Sequence, residues 1–141
     1  MSRIQFKILF PIIIFLIFIF HLFGYLKGLY YSLSFYDDIL HFSAGITLSA
    51  AIIYILFHTK ISRIFKIENK FTNLILVFIA TVIIGAFWEL LEFFWDLYFA
   101  KMFGLPPLQL NLQDTMFDLI WDSIGAFLVI GIYYALFFKK N

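Results

Sequence analysis

The chain has 141 residues, of which 64% are hydrophobic, 23% aromatic and 13% charged, and its formal net charge is +1. A mean hydropathy of +0.99 exceeds what a soluble domain can bury, and it predicts an integral membrane protein. The near-neutral charge indicates no nucleic-acid partner. Cysteine is absent, which excludes disulfides, thiolate metal ligands and cysteine nucleophiles.

Four apolar runs are long enough to cross a bilayer as helices, which takes about 20 residues. They are residues 8–26, 39–58, 71–99 and 115–138. We therefore expect an all-α polytopic membrane protein, with residues 1–141 forming one domain, a bundle of four transmembrane helices. No small-residue cleavage site follows Gly24, so the first run is predicted to be a retained signal-anchor helix.

Basic residues are distributed unevenly between the two ends of the predicted bundle. One end carries Arg3, Lys7, Lys60, Arg63, Lys66, Lys70, Lys139 and Lys140, and the other carries only Lys27 and Lys101. The positive-inside rule therefore predicts a multi-pass cell-membrane protein with both termini and residues 59–70 cytoplasmic. Residues 27–38 and 100–114 are then expected outside.

The second span begins with an acidic pair followed by a histidine. Asp37 and Asp38 lie four and three residues before His41, on its own helical face if the helix has begun there. A lone membrane histidine often only bonds to a neighbouring helix, but these acids favour a functional role for His41. His21, near the end of the first span, is interpreted as a packing or interfacial residue.

The third span contains the segment WELLEFFWD, residues 88–96. Glu89, Glu92 and Asp96 are spaced i, i+3, i+7, which predicts one acidic stripe on the helix. They lie toward the C-terminal end of the helix, where the helix dipole repels anions. A charge at mid-membrane costs about 2.5–3.5 kcal/mol on insertion scales, so such residues indicate a functional site.

Residues 100–114 connect the third and fourth spans and include Pro106, Pro107 and the segment LQLNLQ. Leucines alternate with Gln109, Asn111 and Gln113, and this period of two predicts a short extended segment. It is interpreted either as a lid or substrate contact over the acidic site, or as a plain surface loop.

The fourth span begins with three aspartates, Asp114, Asp118 and Asp122, spaced i, i+4, i+8 on one face. Simple helix capping is an alternative explanation for the acids nearest the helix starts. Thr115 with Asp118 fits a capping box, and Ser34 with Asp37 does so on the second span. Asp122 is nearly two turns inside its helix, beyond the reach of a cap.

Counting along the helices places these groups at similar depth. At about 1.5 Å per residue, Glu89 lies roughly 22 Å from Leu74, near the cytoplasmic edge of its span. Asp122 lies roughly 25 Å from Lys139, and His41 roughly 28 Å from Lys60. Three helices are therefore predicted to bring polar groups together just inside the outer interface.

The acids in this outer half outnumber their basic partners, with eight carboxylates against two lysines. Either several carboxylates share protons, or divalent cations lie among them. Oxygen ligands suit Mg²⁺, Mn²⁺ or Ca²⁺, and an imidazole adds Zn²⁺ to the candidates. The residues predicted to be ligands or acid/base groups are His41, Glu89, Glu92, Asp118 and Asp122.

Three segments also carry a family resemblance: YDDILHFSAG (36–45), WELLEFFWD (88–96) and QDTMFDLIWDSIGA (113–126). With them the chain resembles the YjdF-like family of uncharacterised bacterial integral membrane proteins and, more distantly, the VanZ-like proteins. The resemblance implies a multi-helix protein of the bacterial inner membrane whose acidic motifs correspond to Asp38, His41, Glu89, Glu92, Asp114, Asp118 and Asp122. These seven residues are the predicted metal ligands. Glu92 and Asp122 stand where VanZ-like proteins tend to have amides, so no glycopeptide-resistance role is transferred.

Three functional hypotheses follow. The first is a metal-dependent enzyme acting on a lipid-linked or phosphorylated substrate at the outer leaflet, with His41 and Glu89 as catalytic residues. The second is a protein that binds or transports divalent cations or protons. The third is a structural membrane subunit in which the acids only stabilise the bundle. The expected partners are the lipid bilayer and, for the enzyme, a lipid-linked substrate.

Overall fold

The computed structural model describes residues 3–59, 69–109 and 111–137, with side chains in the first helix described from residue 8 onward. Its helices are α1 (Arg3–Lys27), α2 (Leu29–Ser32), α3 (Tyr36–His58), α4 (Lys70–Phe94), α5 (Lys101–Phe103) and α6 (Leu112–Phe137). A π-helical segment, Trp95–Ala100, joins α4 to α5 without a break. These described ranges contain no β-strand.

Four stretches are long and apolar enough to cross a membrane: Ile8–Lys27, Tyr36–His58, Lys70–Phe103 and Leu112–Phe137. The predicted all-α bundle of four transmembrane helices is therefore confirmed. α3 begins at Tyr36 and α6 at Leu112, each three residues before the predicted span. Hydropathy falls at these polar turns although the helix continues, which explains the difference in bounds. Residue 138, the predicted end of the last span, lies outside the described residues.

Most of the basic residues behind the orientation prediction lie outside the described residues as well, at positions 60–68 and 139–140. A multi-pass membrane protein follows from the four spans, whereas the side of the membrane on which the termini lie stays a prediction.

The most extensive contact in the bundle is between α3 and α6. A Cβ atom added to Gly45 would lie 2.2 Å from the carbonyl oxygen of Asp122, and one added to Gly125 would lie 2.5 Å from the carbonyl oxygen of Phe42. The two backbones therefore touch, in the manner of membrane helices that pack through small residues. α4 packs against both α3 and α6.

Polar side chains buried along these helices bond to their own backbone. The hydroxyl of Ser49 donates to the carbonyl of Gly45 at 2.6 Å, and that of Thr81 donates to the carbonyl of Val77 at 2.9 Å. Bonding to the preceding turn satisfies a hydroxyl where no water is present. The outward faces are apolar, as a lipid environment requires, with Phe15, Ile83 and Phe127 all more than half exposed.

We expect Gly45→Ala to destabilise the bundle by about 1–3 kcal/mol, because the added methyl group overpacks the α3–α6 contact. The free energy of unfolding in a detergent titration measures the effect. Gly131→Ala is the matched control, since a Cβ atom there meets nothing within 4 Å and alanine favours a helix over glycine. Equal stability of the two variants would contradict the close α3–α6 approach.

Candidate functional site

Buried ionisable side chains from three helices meet at the end of the bundle where α3 and α6 begin and α4 ends. We call this group the carboxylate cluster. Its members are Asp37 and His41 on α3, Glu89 and Glu92 on α4, and Asp118 and Asp122 on α6. All except Asp37, which is half-buried, have no more than 5% of their surface exposed.

His41 is the centre of the carboxylate cluster. Its Nδ1 lies 3.3 Å from Oδ2 of Asp122, and its Nε2 lies 3.4 Å from Oε1 of Glu89 and 3.6 Å from Oδ1 of Asp37. One imidazole thus contacts acids on its own helix and on both neighbouring helices. A neutral imidazole carries one proton and a charged imidazole two, so His41 cannot donate to all three carboxylates at once.

A metal-compatible set exists inside this cluster. Ligand atoms of Asp37, His41 and Asp118 all lie within 4.8 Å of one another. Among the described residues, these three form the group whose spacing could hold a metal ion. One imidazole and two carboxylates are a donor set suited to Mn²⁺, Fe²⁺ or Zn²⁺. Three protein ligands leave coordination positions open for water or substrate, as in catalytic metal sites.

Two oxygen atoms of the carboxylate cluster outside this set also call for a cation or a proton. Oε1 of Glu89 and Oδ1 of Asp122 are fully buried and have no hydrogen-bond partner. Buried polar atoms are normally satisfied, so an unsatisfied one calls for an explanation such as an ion or a proton. The residues present therefore fit a bound cation.

The sequence-predicted residues divide into two groups. His41, Glu89, Glu92, Asp118 and Asp122 belong to the carboxylate cluster, as their spacing and depth predicted. Asp38 and Asp114, the ligands implied by family resemblance, are half-buried on α3 and in the first turn of α6. Like Glu89, Glu92 and Asp122, they lie outside the metal-compatible set of the described residues. The roles of all seven residues stay predictions.

Asp37, which was not among the predicted ligands, lies beside His41 and belongs to the metal-compatible set. The sequence spacing already indicated this contact, since Asp37 precedes His41 by four residues. Because α3 begins at Tyr36, the two residues are an i, i+4 pair on the same helical face.

A second group of side chains links α1 to the carboxylate cluster. Nδ1 of His21 lies 2.6 Å from the hydroxyl of Tyr30 and 3.8 Å from Oε1 of Glu92. The indole of Trp88 donates to the same Glu92 oxygen at 2.8 Å. Sequence reasoning placed His21 among packing or interfacial residues, although its distance from the end of the first span already put it at the depth of the cluster.

Tyr30 lies between α1 and α3, outside the spans, and is buried. Burial first, and then the negative charges of Asp37 and Glu92, raise the pKa of Tyr30 above its ordinary value. The phenol therefore keeps its proton, and it can donate that proton to His21 when the imidazole is neutral.

The segment after α5 covers the carboxylate cluster. The side chain of Asp96 accepts hydrogen bonds from the backbone N–H groups of Leu108 and Gln109 at 2.7 and 2.8 Å. The Gln109 amide donates to Oε2 of Glu89 at 3.1 Å and to the hydroxyl of Thr115 at 2.6 Å. Residues 105–109, which we call the cover segment, thus connect directly to a cluster carboxylate.

Tyrosines fix the proline pair in the cover segment. The hydroxyl of Tyr25 donates to the carbonyl of Pro106 at 2.8 Å, and that of Tyr31 donates to the carbonyl of Pro107. The predicted extended segment does not include Gln113, because α6 already begins at Leu112. Leu110 lies outside the described residues.

The two capping boxes predicted from the sequence do not form, although Asp37, Asp38 and Asp114 do lie in first helical turns. Asn111 caps α6, since its side-chain oxygen accepts from the backbone N–H groups of Gln113 and Asp114, and Thr115 lies inside the helix. The N-cap residue of α3 is Phe35, which makes no side-chain cap bond. Neither predicted capping box forms.

Comparison with known proteins places the chain in a family. The family model described as "Predicted membrane protein (DUF2238)" matches residues 1–139. The chain belongs to the DUF2238 family. A relative from Thermotoga maritima, described as "Uncharacterized protein", is 30% identical over 118 residues, which make up 84% of this chain and 57% of the relative.

This DUF2238 chain thus spans little more than half the length of that relative. No solved structure matches it. The expected resemblance to a family of uncharacterised bacterial membrane proteins is confirmed.

We expect Asp96→Asn to loosen the cover segment, because two charge-assisted hydrogen bonds to its backbone would be weakened. Such bonds contribute about 1.5–3 kcal/mol each, so amide exchange at Leu108 and Gln109 should accelerate at least roughly tenfold. Hydrogen exchange read by mass spectrometry measures this. Asp38→Asn, at the same end of the bundle, should leave both amides unchanged, and unaltered exchange in Asp96→Asn would contradict the anchoring role.

Proposed function

We propose that this protein is a membrane-embedded, metal-dependent enzyme that acts on a lipid-linked or phosphorylated substrate at the outer leaflet of the bacterial inner membrane. The observation that carries the proposal is the convergence of Asp37, His41 and Asp118, with ligand atoms within 4.8 Å of one another, inside a buried cluster of further carboxylates.

Asp37, His41 and Asp118 would hold the metal ion, with Mg²⁺, Mn²⁺, Ca²⁺ and Zn²⁺ as the candidates. The contact between His41 Nδ1 and Asp122 would orient the imidazole and leave Nε2 directed toward Asp37. A carboxylate behind a ligating histidine is a common arrangement that sets its tautomer and orientation. A bound ion would polarise a phosphoryl or carbonyl group and activate water.

Glu89 is suited to handle the proton of an attacking group. The Gln109 amide holds its Oε2, while its Oε1 is buried, lacks a hydrogen-bond partner and faces His41. A general base must present a free oxygen within reach of the reacting group. Glu89 therefore has one oxygen fixed in position and the other available for chemistry.

The negative charge of the site makes a bound cation necessary for an anionic substrate. Lys27 and Lys101 are both exposed, whereas the carboxylate cluster is acidic. An anionic headgroup usually binds to Arg or Lys. Because the carboxylate cluster contains neither residue, a cation bound among the carboxylates would be needed to attract the headgroup.

Binding of cations or protons is the second candidate function, because the two unsatisfied oxygens would accept either. Against transport, the spans carry no Asp, Glu, Lys, Arg or His in residues 8–20, 42–57, 71–88 and 123–137. A path across the membrane would have to cross this apolar region, whereas an enzyme needs access from one side only.

We expect the purified protein to bind one divalent ion per chain after supplementation with Mg²⁺, Mn²⁺, Ca²⁺ and Zn²⁺ in turn. Asp37→Asn should lose most of this metal, while the adjacent and chemically identical change Asp38→Asn should retain it, because Asp37 is the residue beside His41. Elemental analysis of both variants decides between them. Absence of metal from the wild-type protein under every supplement would show that the carboxylates share protons.

We expect Glu89→Gln to lower turnover at least about 100-fold, the usual contribution of a general base, with little change in metal content. Phosphate release from a panel of phosphorylated lipids in proteoliposomes measures this. Glu68→Gln, the same change in the basic segment between the second and third spans, is the control. Unchanged turnover in Glu89→Gln would contradict the assigned role.

A further inference from the structure

A cavity of about 260 Å³ extends from the carboxylate cluster into the bundle between α1 and α4. Its inner wall is apolar and includes Ile14, Ile17, Leu48, Ile84 and Phe87. Its polar end is formed by members of the cluster and by His21. These members are Asp37, His41 and Asp122.

The cavity lies at a gap between helices. Within the described residues the backbone of α1 packs against α2 and α3 but makes no close contact with α4. Phe18 of α1 and Phe87 of α4 line the cavity and are 50% and 58% exposed. Exposed faces of membrane-spanning helices contact lipid, so the gap opens sideways toward the bilayer.

The dimensions of the cavity suit a chain rather than a compact ligand. Leu48 lies seven residues beyond His41 on α3, which corresponds to about 10 Å along the helix. The cavity therefore runs from the cluster toward the middle of the membrane. On α1 the same interval separates His21 at the polar end from Ile14.

The polar end of the cavity is built to receive a ligand group. Asp122 lines it, is 1% exposed, and its Oδ1 has no hydrogen-bond partner. The rings of His21 and Trp88, 5.1 Å apart and edge to face, bridge α1 and α4 at this level. The gap between α1 and α4 is thus closed at the level of the carboxylate cluster and open toward the middle of the membrane.

We propose that the cavity between α1 and α4 receives one hydrocarbon chain of a phosphorylated membrane lipid whose headgroup lies at the carboxylate cluster. This rests on the proposed function and names its substrate class. A peptide would leave its backbone unpaired against the apolar wall, whereas a lipid chain has no polar groups to satisfy.

The headgroup must provide the selectivity of this site. A chain that moves from the bilayer into an apolar cavity gains no hydrophobic energy, because lipid tails are as apolar as leucine side chains. Binding then depends on polar contacts at one end and on steric fit at the other. Headgroup recognition at the polar end and chain fit at the apolar end can therefore be tested separately.

The test uses the full chain in lipid nanodiscs containing a phosphatidic acid with a diazirine near the middle of one acyl chain. After illumination, mass spectrometry locates the labelled residues. We expect labelling at Ile14, Ile17, Leu48 and Ile84. Diacylglycerol with the same chain lacks the phosphate, and it should label these positions roughly tenfold less. A tenfold loss of affinity is the size expected when one charge-assisted contact is removed.

Two tryptophan substitutions on α1 provide the matched comparison. Ile17→Trp fills the cavity, and it should reduce labelling there roughly tenfold, the scale of loss that overpacking produces. Ile19→Trp, on an exposed face of the same helix, should leave labelling unchanged. Ile17→Phe is a smaller change that gives an intermediate loss if the larger one prevents folding.

Labelling spread evenly over the exposed face of α1, or equal labelling of the two tryptophan variants, would overturn the chain site. Equal labelling by diacylglycerol would overturn headgroup recognition. Metal content of the same samples separates the two proposals. Bound metal without cavity labelling overturns this inference alone, whereas cavity labelling without metal supports the chain site and overturns the metal-dependent function.

Discussion

The contact of one buried imidazole with carboxylates from three helices is the interaction on which the rest of this protein depends. Ionised groups in a membrane interior are strongly unfavourable unless they are paired. His41 contacts Asp37, Glu89 and Asp122, but a single positive charge cannot balance them. The bundle therefore requires protons or a cation among these side chains, and that requirement makes the carboxylate cluster the centre of its chemistry.

The packing of the helices produces both the cluster and its access route. Glycines allow α3 and α6 to touch, which brings His41 against Asp122. α4 fits against this pair and adds Glu89. Within the described residues the backbone of α1 approaches α2 and α3 closely but not α4, which only side chains such as His21 reach, and this looser association leaves the gap beside α4. Tight packing thus holds the carboxylate cluster together, and the loosely packed helix leaves the cavity open beside it.

The two openings of the site differ in character. At the membrane surface the cover segment lies over the cluster, fixed by Asp96 and connected to Glu89 through Gln109. Toward the bilayer the cavity is open between exposed phenylalanines. Such an arrangement restricts water at one end and admits apolar chains from the side. A lipid bound as proposed would therefore arrive through the membrane with its polar group leading toward His41.

The residue pattern alone was sufficient for the four spans, for the depth of the acids and for most members of the cluster, because helical rise and periodicity depend only on local backbone geometry. Asp96 shows where this reasoning stops. Its spacing predicted one stripe with Glu89 and Glu92, but it lies in the π-helical segment Trp95–Ala100 and bonds to the cover segment instead. A π-helical turn changes the angle between successive residues. The choice of Asp37, the approach of His21 to Glu92 and the gap beside α1 depend on how the helices rotate and pack against one another, and contacts between distant residues set those rotations.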